Sequence, residues 1–145
     1  MAEPKPAFWD TSALIPLCVQ QKGSKTVEQL SAVYSIVAWW ATPVEMRSAL
    51  ARLLRMGLLS PADHRQARER ADVLRRTWRE IQPQEAVRNL AASLVDQHPL
   101  RAADALQLAS ALIWSRQRPR ASAFLAGDKQ LLAAAESLGF QTIEI

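Results

Sequence analysis

The chain has 145 residues, 49% of them hydrophobic, with 18 basic and 14 acidic side chains and a net charge of +4. That length gives one domain over residues 1–145 with room for a real core, and the composition excludes a disordered or fibrous chain. The single cysteine, Cys18, excludes an intrachain disulfide framework; the polar, proline-broken start Met-Ala-Glu-Pro-Lys-Pro does not read as a signal peptide; and no apolar run is long enough to span a membrane, so a soluble cytoplasmic protein is expected.

Ala7–Asp10 reads as a short buried strand, followed by helical pattern from about Ser12 and again over Ser24–Ala32. Tyr34–Ala38 is apolar and β-branched and gives a second strand, ending at Trp39 and Trp40. Thr42-Pro-Val-Glu45 has the form of a capping box and opens a helix to about Arg55, which Gly57 stops. Ser60-Pro-Ala-Asp63 repeats the device for a long arginine-rich helix to about Arg76. Thr77–Ile81 is a third strand, Pro83–Val95 and Arg101–Trp114 are helices, Ser122–Ala126 is a fourth strand, Lys129–Leu138 is a helix closed by Gly139, and Gln141–Ile145 is a fifth strand. Strands alternating with helices predict an α/β domain with a mainly parallel sheet.

Four acids sit in short apolar settings: Asp10, Glu45, Asp104 and Asp128. A desolvated carboxylate needs a partner. A divalent cation is the common partner for several carboxylates from distant segments, and an oxygen-only set selects Mg²⁺ or Mn²⁺ over zinc. Such a site activates water and steadies a phosphodiester undergoing displacement. In a parallel sheet, ligands bind beyond the carboxyl ends of the strands. Asp10 and Asp128 follow strands one and four, and Glu45 opens the helix after strand two. Asp104 reaches the same edge if its helix starts there.

Each acid also has a plainer explanation. Asp10 and Asp128 suit helix N-caps, Glu45 suits the capping box, and Asp104 suits a helix dipole. Jointly they form a negative cluster that is unfavourable without a cation. Thr11 and Ser12 would orient Asp10 or a water, or simply begin a helix. Gln107, one turn after Asp104, faces either the pocket or solvent. Of Trp39 and Trp40, one belongs to the core and the other to a rim where it could stack on bases. His64 and His98 lack metal-ligand spacing. Nine arginines against three acids between Arg47 and Arg79 make a local excess of positive charge that favours phosphate backbones, although a solvated helix face accounts for it equally.

The chain resembles the PIN-domain ribonucleases, and in size and motif layout it is similar to VapC-like toxins of type II toxin–antitoxin systems. The resemblance spans about Ala7 to Ile145. It is carried by Asp10-Thr-Ser-Ala-Leu14, by Glu45 with its Ala/Leu-rich helix, by Leu100-Arg-Ala-Ala-Asp-Ala-Leu-Gln-Leu-Ala109, and by Phe124-Leu-Ala-Gly-Asp-Lys-Gln-Leu-Leu132 with Leu138-Gly139. Gly127 departs from the hydroxyl or bulkier residue often found before the fourth acid. The resemblance implies an α/β/α sandwich and a metal-dependent endoribonuclease acting on RNA. It implies Mg²⁺ or Mn²⁺ held mainly by Asp10 and Asp104 with help from Asp128, and a Glu45 that positions water or a second metal through solvent. It also implies a homodimer and a cognate antitoxin.

Two other functions compete. One is a non-catalytic nucleic-acid-binding or interaction module on the same fold. The other is a phosphatase of the haloacid dehalogenase kind, whose second Asp, two residues beyond the first, is here Ser12.

Overall fold

Alternate residues of the strands enter two separate cores. In β1 (Lys5–Trp9), Ala7 and Trp9 bury on one face while Phe8 buries on the other. β2 (Tyr34–Trp39) and β4 (Ala123–Ala126) divide in the same way, Val37, Trp39, Phe124 and Ala126 joining Phe8. A sheet buried on both faces reads as continuous apolar runs, as these strands do. A computed structural model describes residues 3–145, so the expectation for Met1 and Ala2 at the start of the chain lies outside the described residues.

The five strands are all parallel, in the order β3-β2-β1-β4-β5, with β3 at Arg79–Ile81 and β5 at Gln141–Glu144. One core packs under α1 (Thr11–Cys18), α2 (Ser24–Val33), α3 (Thr42–Arg55) and α4 (Pro61–Arg75), and Cys18 is buried in it. The other packs under α5 (Glu85–Gln97), α6 (Ala102–Trp114) and α7 (Lys129–Ser137). The result is a three-layer α/β/α sandwich. Among the described residues no helix is long and apolar enough to cross a membrane.

Local chemistry sets the boundaries. Ser60 caps α4 by accepting the Asp63 N–H at 3.0 Å. Gly57 and Gly139 take φ of +74° and +104°, where a side chain would be strained, directly after α3 and α7. The third strand is shorter than expected because the Thr77 N–H and hydroxyl both turn back to the Leu74 carbonyl, closing α4. The capping box at Thr42 does not form. Ala41 occupies the N-cap position without a side-chain bond, Thr42 lies inside the helix, and both Thr42 and Glu45 turn toward α6 instead.

Candidate active site

The strand order reverses direction at β1: the chain leaves it toward β2 on one side and returns through β4 on the other. Such a switch point opens a crevice at the carboxyl edge of a parallel sheet. Asp10 directly follows β1, and Asp128 comes two residues after the end of β4, past Gly127. Both are helix N-caps, as their plainer reading holds. Asp10 accepts the Ser12 N–H at 3.1 Å, and Asp128 accepts the Leu131 N–H at 3.0 Å. A cap engages one oxygen of the carboxylate and leaves the group at the crevice.

Ser12 fixes the two turns to each other. Its hydroxyl donates to Asp10 Oδ2 and accepts the Gly127 N–H at 2.8 Å. Gly127 therefore stands beside Asp10 through Ser12. A Cβ there would meet Ser12 at ordinary contact distance. In the phosphatase reading this serine stands where an acid is required, and here it serves as a brace.

Gln107 is the residue whose importance the sequence left open. It is fully buried, and its amide donates toward Thr11 Oγ1 and Thr42 Oγ1, both at 3.1 Å, and toward Glu45 Oε2 at 3.2 Å. Thr11 donates in turn to Glu45 Oε1 at 3.2 Å. The signal available was its place three residues after Asp104, on the same helical face.

Burial dominates the electrostatics, with repulsion between the acids adding to it. Desolvation pushes Asp10 up to about 6, against hydrogen bonds from Ser12 that favour its charge, and Asp104 adds repulsion. Glu45 is pushed up to about 7 by burial first, with repulsion from Asp10 and Asp104, opposed by hydrogen bonds from Gln107 and Thr11. Asp104, half-buried in the first turn of α6, is raised by burial and by Asp128, while Arg101 lowers it. Repulsion thus runs from Asp104 to Asp10 and Glu45, and from Asp128 to Asp104. The two ion pairs among the described residues, Arg47–Asp72 at 3.4 Å and Arg75–Glu80 at 4.0 Å, involve none of them.

The donor set suits a hard divalent cation: all oxygen, partly desolvated, and without an ion-paired cation. The carboxylates are gathered rather than closed. No three Asp, Glu, His or Cys side chains among the described residues converge tightly enough to hold a metal as they stand. Beside Glu45, a groove of about 640 Å³ runs between α1 and α3, lined by Thr11, Ser12, Gln21, Ser48 and Arg52. Of the arginine-rich region, Arg47 and Arg75 are ion-paired and Arg70 binds the Cys18 carbonyl at 3.1 Å, while Arg65, Arg68 and Arg76 are exposed on or just beyond α4. Trp39 is core and Trp40 is 49% exposed.

No family model matches the chain, and no curated protein matches it. Solved structures do. The chain is similar to the sarcin–ricin-loop-cleaving toxin VapC20 of Mycobacterium tuberculosis, with a TM-score of 0.66 at 18% identity over 96% of this chain and 98% of that one. FitAcB from Neisseria gonorrhoeae gives 0.63 at 17% over 95% and 96%. A toxin–antitoxin complex from Klebsiella pneumoniae gives 0.63 at 17% over 96% and 99%. These neighbours are PIN-domain proteins of toxin–antitoxin systems, and the fold of this chain is PIN-like.

Proposed function

We propose that the chain is a single-domain, metal-dependent endoribonuclease and the toxin of a toxin–antitoxin pair. The observation that carries this reading is the gathering of Asp10, Glu45, Asp104 and Asp128 from four chain segments to one sheet edge, linked by repulsion through Asp104 and outside both ion pairs among the described residues. The toxin role is supported by fold likeness to toxin–antitoxin proteins.

Asp10 and Asp104 would hold Mg²⁺ or Mn²⁺, with Asp128 assisting. A bound divalent cation supplies the charge that makes water nucleophilic near neutrality and offsets charge on a departing oxygen. Asp10 is held by Ser12, so its orientation is set before substrate arrives. Glu45 is held by Thr11 and Gln107 and titrates near neutrality, which suits a proton acceptor for the attacking water. The exposed arginines of α4 would meet the RNA backbone. An antitoxin would cover the acidic edge, and two copies of the chain would pair as a dimer in the cytoplasm.

One observation favours the non-catalytic module instead: the carboxylates do not close into a three-ligand set. Incubation of single-stranded RNA with the protein in Mn²⁺ and in EDTA separates the two. Cleavage that requires Mn²⁺ and is lost in Asp10→Asn supports the nuclease. RNA binding without cleavage in either condition sinks it.

A further inference from the structure

The amino edge of the sheet, opposite the acids, carries a second cleft, of about 500 Å³. It arises from a stagger between strands. Lys5 pairs with Tyr34, whereas β4 and β5 begin at Ala123 and Gln141, level with Ala7. β1 and β2 therefore overhang β4 by two residues, roughly 6–7 Å of strand. The chain that joins α6 to β4 borders this step, so Trp114, Arg116 and Arg118 line the cleft together with Lys5 and Tyr34.

The turn that carries the arginines is tightly set. Arg116 and Gln117 take φ of +53° and +60°, a left-handed conformation that is costly for residues with a side chain. Arginines at a helix C-terminus ordinarily meet its last carbonyls. Here backbone N–H groups of Ser115, Gln117 and Arg116 meet the Ala111, Leu112 and Ile113 carbonyls, at 2.9, 3.0 and 3.1 Å, which leaves the guanidinium groups for another use. Lys5, Arg116 and Arg118 are exposed, and neither ion pair among the described residues includes them. No acid lines the cleft among the described residues. Three cations around one hollow without a counter-charge make a positive field whose complement is an anion, and arginine forks match phosphate oxygens. The aromatic residues indicate what the phosphate is attached to. Trp114 is half-buried, with its ring 6.4 Å from that of Phe8 in the core. An indole anchored on the core at the border of a cleft is a surface for a planar ring. The cleft is also larger than a bare phosphate needs and lies within the range of small-molecule sites.

We propose that the amino-edge cleft binds a nucleotide, its phosphate among Lys5, Arg116 and Arg118 and its base against Trp114. The site lies across the sheet from Asp10 and Asp104 and does not depend on the ribonuclease reading.

The test is isothermal titration calorimetry in EDTA, where the metal-free acidic edge repels anions. The probes are adenosine 5′-monophosphate, adenosine and inorganic phosphate. The parent should bind the monophosphate about tenfold more tightly than either of its parts. The double variant Arg116→Gln/Arg118→Gln should weaken that binding roughly tenfold or more, and Lys5→Gln roughly threefold, each confirmed folded by its melting curve. Neutralising Arg65, Arg68 and Arg76 on α4 should leave it unchanged. Equal affinity in the parent and both cleft variants overturns the site, as does a parent that binds no monophosphate up to about 5 mM. Inorganic phosphate held as tightly as the monophosphate overturns the nucleotide as ligand. Anisotropy of a 5′-labelled single-stranded RNA of about 12 nucleotides with the same proteins identifies the source. If RNA binding weakens together with monophosphate binding, the site takes a unit of a strand; if only the monophosphate weakens, it takes a free nucleotide. RNA cleavage in Mn²⁺ is measured separately, so loss of the cleft proposal and loss of the nuclease are told apart.

Discussion

The Gln107 amide donates to Glu45 Oε2 at 3.2 Å, joining α6 to α3 through the interior of the acidic edge. The bond favours the charged form of a carboxylate that burial pushes up to about 7. Gln107→Leu should therefore raise the pH at which Glu45 ionises and lower stability by about 1–3 kcal/mol, by leaving the buried Thr11 and Thr42 hydroxyls short of a donor. Cleavage near pH 7 should fall, with partial recovery at pH 8.5. A variant equally impaired at both pH values would show that Gln107 acts only through the fold.

Asp10→Asn and Asp104→Asn each remove charge at the acidic edge with almost no change in volume. Each should lower RNA cleavage about 100-fold or more, the scale for groups that set a catalytic metal or its water. Far-UV circular dichroism should match the parent. Cleavage at the parent rate by purified Asp10→Asn would defeat the assignment.

Metal-free stability should fall as pH rises. Asp10 and Glu45 have folded pKa values of about 6 and about 7, above their ordinary 3.8 and 4.5, chiefly through burial. The folded state therefore binds protons more tightly than the unfolded one. Their stabilising contribution is full below the ordinary values and is lost as pH rises through the folded ones. In EDTA the urea midpoint should be higher at pH 5 than at pH 8, and Mn²⁺ should narrow the gap from the pH 8 side. A midpoint that rises from pH 5 to pH 8 in EDTA contradicts this.

Asp104→Asn should leave the metal-free protein as stable as the parent or more so, since it removes repulsion from Asp128 and Asp10. It should also erase most of the rise in melting temperature with Mn²⁺, which for the parent is worth about 2.7 kcal/mol at a hundredfold excess over Kd. A purely dipolar role predicts modest destabilisation with or without metal. Equal Mn²⁺ responses in parent and variant would rule out Asp104 as a ligand.

Neutralising Arg65, Arg68 and Arg76 together should weaken RNA binding and flatten its dependence on salt, by roughly 0.7 in log–log slope for each phosphate that no longer meets an arginine. Arg47, Arg70 and Arg75 are poorer targets because they already hold Asp72, the Cys18 carbonyl and Glu80. An unchanged slope would assign the face of α4 to solvent or to a protein partner.

The alternation of apolar and turn residues made the strands and helices legible, and the parallel sheet with them. Ser60 reads correctly as a cap because the N–H it accepts lies three residues away. Thr42 reads wrongly for the converse reason. Its partner, Gln107, is 65 residues distant, and nothing local distinguishes a threonine that caps from one reserved for a remote amide. Asp10, Asp104 and Asp128 stood out because each is an acid in an apolar frame. Gln107 is uncharged, and its place three residues after Asp104 left pocket and solvent both open; the packing of α6 against the edge decides between them.

Ser12 joins Asp10 to Gly127, a residue 115 positions beyond Ser12 itself. Strand β1, at the centre of the sheet, also lacks one of its two neighbours until β4 is made. Until β4 and its turn are made, Ser12 can hold Asp10 locally but has no Gly127 N–H to tie that turn to the rest of the edge. If the chain cuts RNA as proposed, the geometry of its first acid depends on a strand made after all three chain segments that supply Asp10, Glu45 and Asp104.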